Sequence, residues 1–135
     1  MRLDALQIAT LILLVVGSAL DFVTTEVLLS VGEVRVGDTI ISFSEANPLF
    51  HILGHERFVA VYVLVTAALI ALTVYAPRVV PRGTAHYQVA LMVIACFGLA
   101  HLVLGVRNYL IIHSFFHSYE NLELQYCDST PRNAI

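Results

Sequence analysis

Charge is scarce in this sequence. Only 13 % of its residues are Asp, Glu, Lys or Arg, where a soluble domain carries about 25 %, so water is not expected to be its main solvent. No run of Lys or Arg forms a stripe that could neutralise a row of phosphates, and nucleic acid is excluded as an expected partner. Cysteine is nearly absent. Cys96 lies inside an apolar run and Cys127 in the polar C-terminal stretch, so the two are expected at different depths and unpaired. GxSxG, CxxC and phosphate-cradling glycine loops are missing, which removes the usual hydrolase, redox and nucleotide readings. There is no internal repeat and no low-complexity tract.

What fills the chain is apolar. Hydrophobic residues make up 59 % of 135 positions, and the mean hydropathy is +0.83. That length suits one folding unit. A cleaved secretory leader would be followed by a soluble remainder, but here apolar segments recur, so the first is expected to be retained.

The first segment runs from Ala5 to Val31, broken by Asp21, Thr24, Thr25 and Glu26. At about 1.5 Å per residue this is about 40 Å of helix, enough to cross a hydrocarbon core of about 30 Å with some tilt. The polar stretch Gly32 to Ser44 follows, GEVRVGDTIISFS, with Gly37-Asp38 between β-branched residues as in a tight hairpin. Glu45-Ala46-Asn47-Pro48 reads as a helix start, because Asn caps exposed amides and proline at the first helical position loses no hydrogen bond. A second span is expected from there, with a polar entry carrying His51, His55, Glu56 and Arg57, and an apolar part from Phe58 to Ala76 ended by Pro77. The connector Pro77 to Thr84 holds two arginines and no acid. The third apolar pattern, Ala85 to Phe116, is too long for one span, so a protrusion or a bend near Gly105 is expected, its last part lying along the interface.

The fold class expected is therefore all-α: a polytopic membrane bundle of three transmembrane helices, with a short extracytoplasmic loop or hairpin between the first two. Residues 1–117 form its single transmembrane domain and residues 118–135 a polar, loosely ordered tail. Positive charge collects on the cytoplasmic side of membrane proteins. Arg2, Arg78 and Arg82 would share that side, giving a multi-pass protein of the cell membrane with the N-terminus cytoplasmic and the C-terminus extracytoplasmic.

Counting about 1.5 Å per residue from the inner end of each helix puts Asp21 and His101 at about 23 Å, and Glu26, Arg107, Arg57 and His55 at about 30 Å. Ionisable groups within spans cost at least about 2.5 kcal/mol at the centre and normally face the bundle and a partner. Asp21 and His101 are a candidate pair, with Thr24 and Thr25 on neighbouring turns lining the same outward-opening pocket.

The string Asp21-x-x-Thr24-Thr25-x-x-Leu28, the glycine-containing loop, Glu45-x-Asn47-Pro48 and Asn108 late in the third span resemble the DUF5658 family of small prokaryotic and archaeal membrane proteins. That resemblance implies a helical fold of three or four spans with a shared polar site, marked here by Asp21, Thr25, Glu45, Asn47, Pro48 and Asn108. It implies no reaction.

His51 and His55, like His113 and His117, stand i, i+4, a spacing that places two imidazoles on one helical face. With Asp21, Glu45 or Glu26 they could hold a divalent metal. The competing reading is interfacial histidines that snorkel and cap. Asp21 with His101 could act as an acid and base pair or proton relay, or as an ordinary interhelical hydrogen bond of about 0.6 kcal/mol. Glu45 to Pro48 needs no purpose beyond capping. Arg107 could pair with Glu26 or anchor lipid head groups.

Because three helices leave little room for a substrate, the expectation is a structural or accessory membrane subunit with a polar outward-facing intramembrane site, associating with itself or with other membrane subunits. The alternative is an intramembrane enzyme or transport element using the Asp21, His101 and Glu45 site.

Overall fold

The computed structural model describes residues 3–36, 39–44 and 48–128. Four helices and one hairpin follow in order: α1 Ala5–Val31, β1 Glu33–Val36, β2 Thr39–Ser42, α2 Pro48–Leu53, α3 His55–Val79 and α4 Ala85–Asp128. Among the described residues, three helices are long and apolar enough to cross a membrane: α1, α3 and the part of α4 from Ala85 to His117. The expected all-α bundle of three spans is what the chain forms.

α1 starts where its first amides find acceptors. Asp4 is the N-cap: the Gln7 N–H donates to its Oδ1 at 2.9 Å, and its own N–H donates to Gln7 Oε1 at 3.1 Å, a reciprocal capping box. The helix ends at Gly32, whose φ of +63° lets the chain turn away. β1 and β2 then pair antiparallel with Glu33 opposite Ser42, and the Phe43 N–H closes the base on the Gly32 carbonyl at 2.8 Å. The turn expected at Gly37-Asp38 lies outside the described residues.

Three expectations about the later helices need correction. Proline opens α2 at Pro48, but the polar entry is not continuous with the second span. Gly54, at φ +75°, breaks the path between α2 and α3. The second span does not stop at Pro77 either: α3 continues to Val79. Proline cannot donate to the carbonyl four residues back, which is that of Thr73. The buried Gln7 side chain supplies the missing donor, its Nε2 reaching the Thr73 carbonyl at 2.7 Å. Finally, of the two outcomes expected for α4 the helix takes the protrusion, running past Gly105 and Phe116, but it continues to Asp128 through the first part of the tail expected to be loosely ordered.

Gln7 belongs to a clasp that ties all three spans together at one end of the bundle. The Tyr87 hydroxyl of α4 donates to the Asp4 carboxylate, Arg82 Nε lies 3.6 Å from Asp4 Oδ2, and Arg82 Nη2 reaches Gln7 Oε1 at 3.5 Å. The Tyr87 hydroxyl above all, then the Gln7 N–H and the Arg82 charge, hold the Asp4 carboxyl below the usual carboxylate range against the opposing effect of burial.

The core is small and partly polar. Leu14, Tyr87, Leu91 and Ile94 are its buried apolar residues, alongside Gln7, Thr10, Ser18, Thr24 and Thr73, while large aliphatic side chains such as Leu64 face outward, Leu64 being 68 % exposed. An exterior richer in hydrocarbon than the interior is what a lipid-facing bundle requires. α1 packs chiefly against α4, and α3 touches both far less. Glycines set the α1–α4 approach: a methyl group at Gly17 would sit 2.2 Å from the Gly98 carbonyl oxygen, and one at Gly105 would sit 2.7 Å from the Asp21 nitrogen.

Candidate functional site

Because α3 stands away from the α1–α4 pair, a cavity of about 700 Å³ remains between the three helices, toward the hairpin end. Its polar wall comes from α1 and α4, with Asp21, Thr25, Glu26, His101, Arg107 and Asn108. Its apolar lining comes from Phe22, Phe58, Val61, Val65, Phe97 and Leu104, and Ser42, Phe43, Ser44 and Phe50 close the hairpin side.

Asp21 and His101 meet on this wall. His101 Nδ1 lies 2.5 Å from Asp21 Oδ2, with the side chains 16 % and 14 % exposed. Their matched heights follow from helix length, but contact also needs the two helices to turn these faces toward one another. The glycines at 98 and 105 allow this, because both lie at the seam that brings α4 onto α1. The His101 ring is held edge-on by Phe97, centroid to centroid 4.5 Å, and by Tyr62 at 5.3 Å. The Tyr62 hydroxyl donates to the Ser18 carbonyl at 3.0 Å and lies 3.4 Å from His101 Nδ1. In the neutral imidazole the nitrogen facing a carboxylate carries the proton, so Nε2 keeps its lone pair for a second partner.

The other sequence-predicted residues separate into those the fold brings here and those it does not. Thr25 and Asn108 are joined, Asn108 Nδ2 donating to Thr25 Oγ1 at 3.1 Å. Glu26 pairs with His55, its Oε1 lying 2.8 Å from Nε2. Glu26 therefore does not pair with Arg107, which lines the same cavity without a hydrogen bond or ion pair among the described residues. Thr24 does not line the pocket. It is buried and its hydroxyl turns back to the Leu20 carbonyl at 2.8 Å, because one residue rotates a side chain by about 100° around a helix. Glu45 and Asn47 lie outside the described residues.

The paired-imidazole argument fails at His51 and His55, which lie on two helices separated by Gly54. His51 contacts the Phe50 ring and His55 is engaged by Glu26. His113 and His117 do share a face, their rings 6.3 Å apart. Among the described residues no group of three His, Cys, Asp or Glu is placed to hold a metal ion.

Sequence reasoning missed the aromatic lining and the seam. Tyr62 and Phe58 are spaced i, i+4 in the second span, a signal for one shared face. Gly98 and Gly105 are spaced i, i+7, the repeat of a packed helix seam.

These features define a class: a three-span helical membrane-type bundle with a largely buried carboxylate–imidazole pair on the wall of an open cavity between the helices. No family model, curated protein or solved structure matches this chain.

Proposed function

We propose that this chain is a membrane-embedded binding protein that holds one amphiphilic molecule in the cavity between α1, α3 and α4, anchored on the polar wall that carries Asp21, His101 and Arg107. The observation that carries this is the cavity of about 700 Å³, polar on one wall and lined by aromatic and aliphatic side chains on the others. Sites for small molecules are concave, mostly apolar, have a few convergent polar groups, and measure about 300–1,000 Å³. The expectation of a structural or accessory subunit rested on three helices leaving little room, and a cavity of this size weighs against that reason. An enzyme or transport element using Asp21 and His101 would share the same pocket, since binding precedes either.

The test is native mass spectrometry of the full chain released from detergent. The wild type should carry one amphiphile per chain, and Val65→Trp, which fills the cavity from the sparsely packed α3, should lose it while keeping its helical circular dichroism. An adduct retained equally by both would place it on the lipid-facing surface and sink the reading.

A second reading, the structural or accessory subunit, is favoured by the outer face of α3, where Val63, Leu64 and Leu72 are 55 %, 68 % and 59 % exposed. Such a face suits another membrane subunit or a second copy. Membership of the DUF5658 family is proposed on the spaced residues Asp21, Thr24, Thr25 and Asn108.

The orientation proposed is N-terminus cytoplasmic and C-terminus extracytoplasmic in the cell membrane, from the basic residues Arg2, Arg78 and Arg82. In a background with Cys96 and Cys127 replaced by alanine, a cysteine at Val80 should be shielded from an impermeant thiol reagent in intact cells, and one at Asp38 should label. The reverse pattern would invert the protein.

A further inference from the structure

The charges on the cavity wall are unequally committed. Asp21 is met by His101 at 2.5 Å and Glu26 by His55 at 2.8 Å, and Asn108 is tied to Thr25. Arg107 alone among the charged groups of the described wall has no protein partner within hydrogen-bond or ion-pair distance. The planar fork of a guanidinium matches a phosphate or carboxylate.

Position strengthens the point. Arg107 lies six residues beyond His101 on α4, about 9 Å nearer the hairpin end. Ser42 and Ser44 lie on that same side, while Phe97 and Val65 line the opposite, deeper part. Toward the hairpin end the lining carries a cation and hydroxyls beside the Phe43 and Phe50 rings, and beyond the Asp21–His101 pair it turns to rings and aliphatic groups, a surface that suits the head and chain of an amphiphile. A cationic head group would have to displace an imidazole from Asp21 or Glu26, whereas an anionic one meets a cation that no carboxylate of the described residues pairs.

We infer that the occupant is a lipid with an anionic phosphate or carboxylate head group, bound by Arg107 with its chain among Phe22, Phe58, Val65 and Phe97. This rests on the cavity being a binding site. The competing account is that Arg107 simply snorkels to bulk lipid head groups, which does not depend on the cavity.

Two probes that differ only in a phosphate test this: oleoyl lysophosphatidic acid and mono-oleoylglycerol, titrated onto the full chain in detergent and read by native mass spectrometry, with inorganic phosphate as a third arm. A charge-assisted contact predicts that the phosphate-bearing probe binds about tenfold or more tightly than the neutral one. Arg107→Gln should remove that advantage and leave the neutral probe unchanged, and Val65→Trp should abolish binding of both. Equal affinities, or an advantage that survives Arg107→Gln, would overturn the head-group assignment while leaving the cavity as a binding site. Binding of the anionic probe that survives Val65→Trp would support bulk head-group contact and overturn both. If neither probe binds the wild type, the binding reading itself falls. Inorganic phosphate that binds as tightly as the lipid, with the same dependence on Arg107, would make the ligand a soluble anion and overturn the lipid.

Discussion

Gly98→Ala should destabilise the bundle by about 2 kcal/mol or more, and Gly98→Val by more still, because the added carbon has nowhere to go. A Cβ at Gly98 would lie 2.6 Å from the Leu14 nitrogen, 2.7 Å from the Leu13 carbonyl carbon and 2.8 Å from its oxygen. All three are backbone atoms of α1, so no side-chain rotation relieves the contact, and the helices must separate. Separation forfeits the dispersion contacts along the main seam of the protein, and lipid offers no hydrophobic drive to close it again. The matched control is Ala100→Val, on an exposed face of the same helix. Thermal unfolding in detergent should show a clear loss for the glycine variants and almost none for the control. Equal stability of Gly98→Val and Ala100→Val would mean that α1 and α4 do not meet as described.

The second large effect concerns the pair on the cavity wall. Asp21→Asn and His101→Gln should each cost about 1–3 kcal/mol, the usual penalty for leaving a largely buried polar group without its partner. Together they should cost less than the sum, by a coupling of about 1 kcal/mol or more, since the second substitution removes a group the first had already orphaned. The 2.5 Å contact and the low exposure of both side chains argue for coupling at that level. Tyr62→Phe adds a discriminating control. It removes the 3.4 Å contact to His101 Nδ1 but keeps the ring against the imidazole, so it should leave most of the coupling intact. Strict additivity in the cycle would show that water in the cavity replaces either partner, and would dissolve the pair as a unit.

The same residues show why some partnerships were legible in sequence and others were not. A count of residues along a helix measures height, because rise per residue is nearly constant. Asp21 and His101 could be matched that way, as could Glu26 with its tier. Height says nothing about rotation around the axis. Glu26 and Arg107 share a tier, yet Glu26 takes His55 from α3 and Arg107 points to the cavity. Thr24 and Thr25 differ by one residue and end in different environments, one buried against its own helix and one on the cavity wall. The clasp of Asp4, Gln7, Arg82 and Tyr87 was hidden for a related reason. Arg82 read only as a cytoplasmic marker and Asp4 carried no reading at all, and their meeting through Gln7 and Tyr87 depends on how α1, α3 and α4 converge.

What the sequence determined by itself was the number of spans, the extent of the first, the helix start at Pro48 and the break for the hairpin after Gly32. These follow from local quantities: the length of an apolar run against the thickness of a bilayer, and the hydrogen-bonding demand of helix ends. Tertiary structure decided which faces meet. The seam at Gly17, Gly98 and Gly105 draws α4 onto α1 because only glycine lets the two backbones come so close. That choice leaves α3 standing off, opens the cavity, and assigns His101 to Asp21 and His55 to Glu26. No run length or cap encodes those choices, because they arise from the rotation of three helices relative to one another, set by packing between residues far apart in the chain.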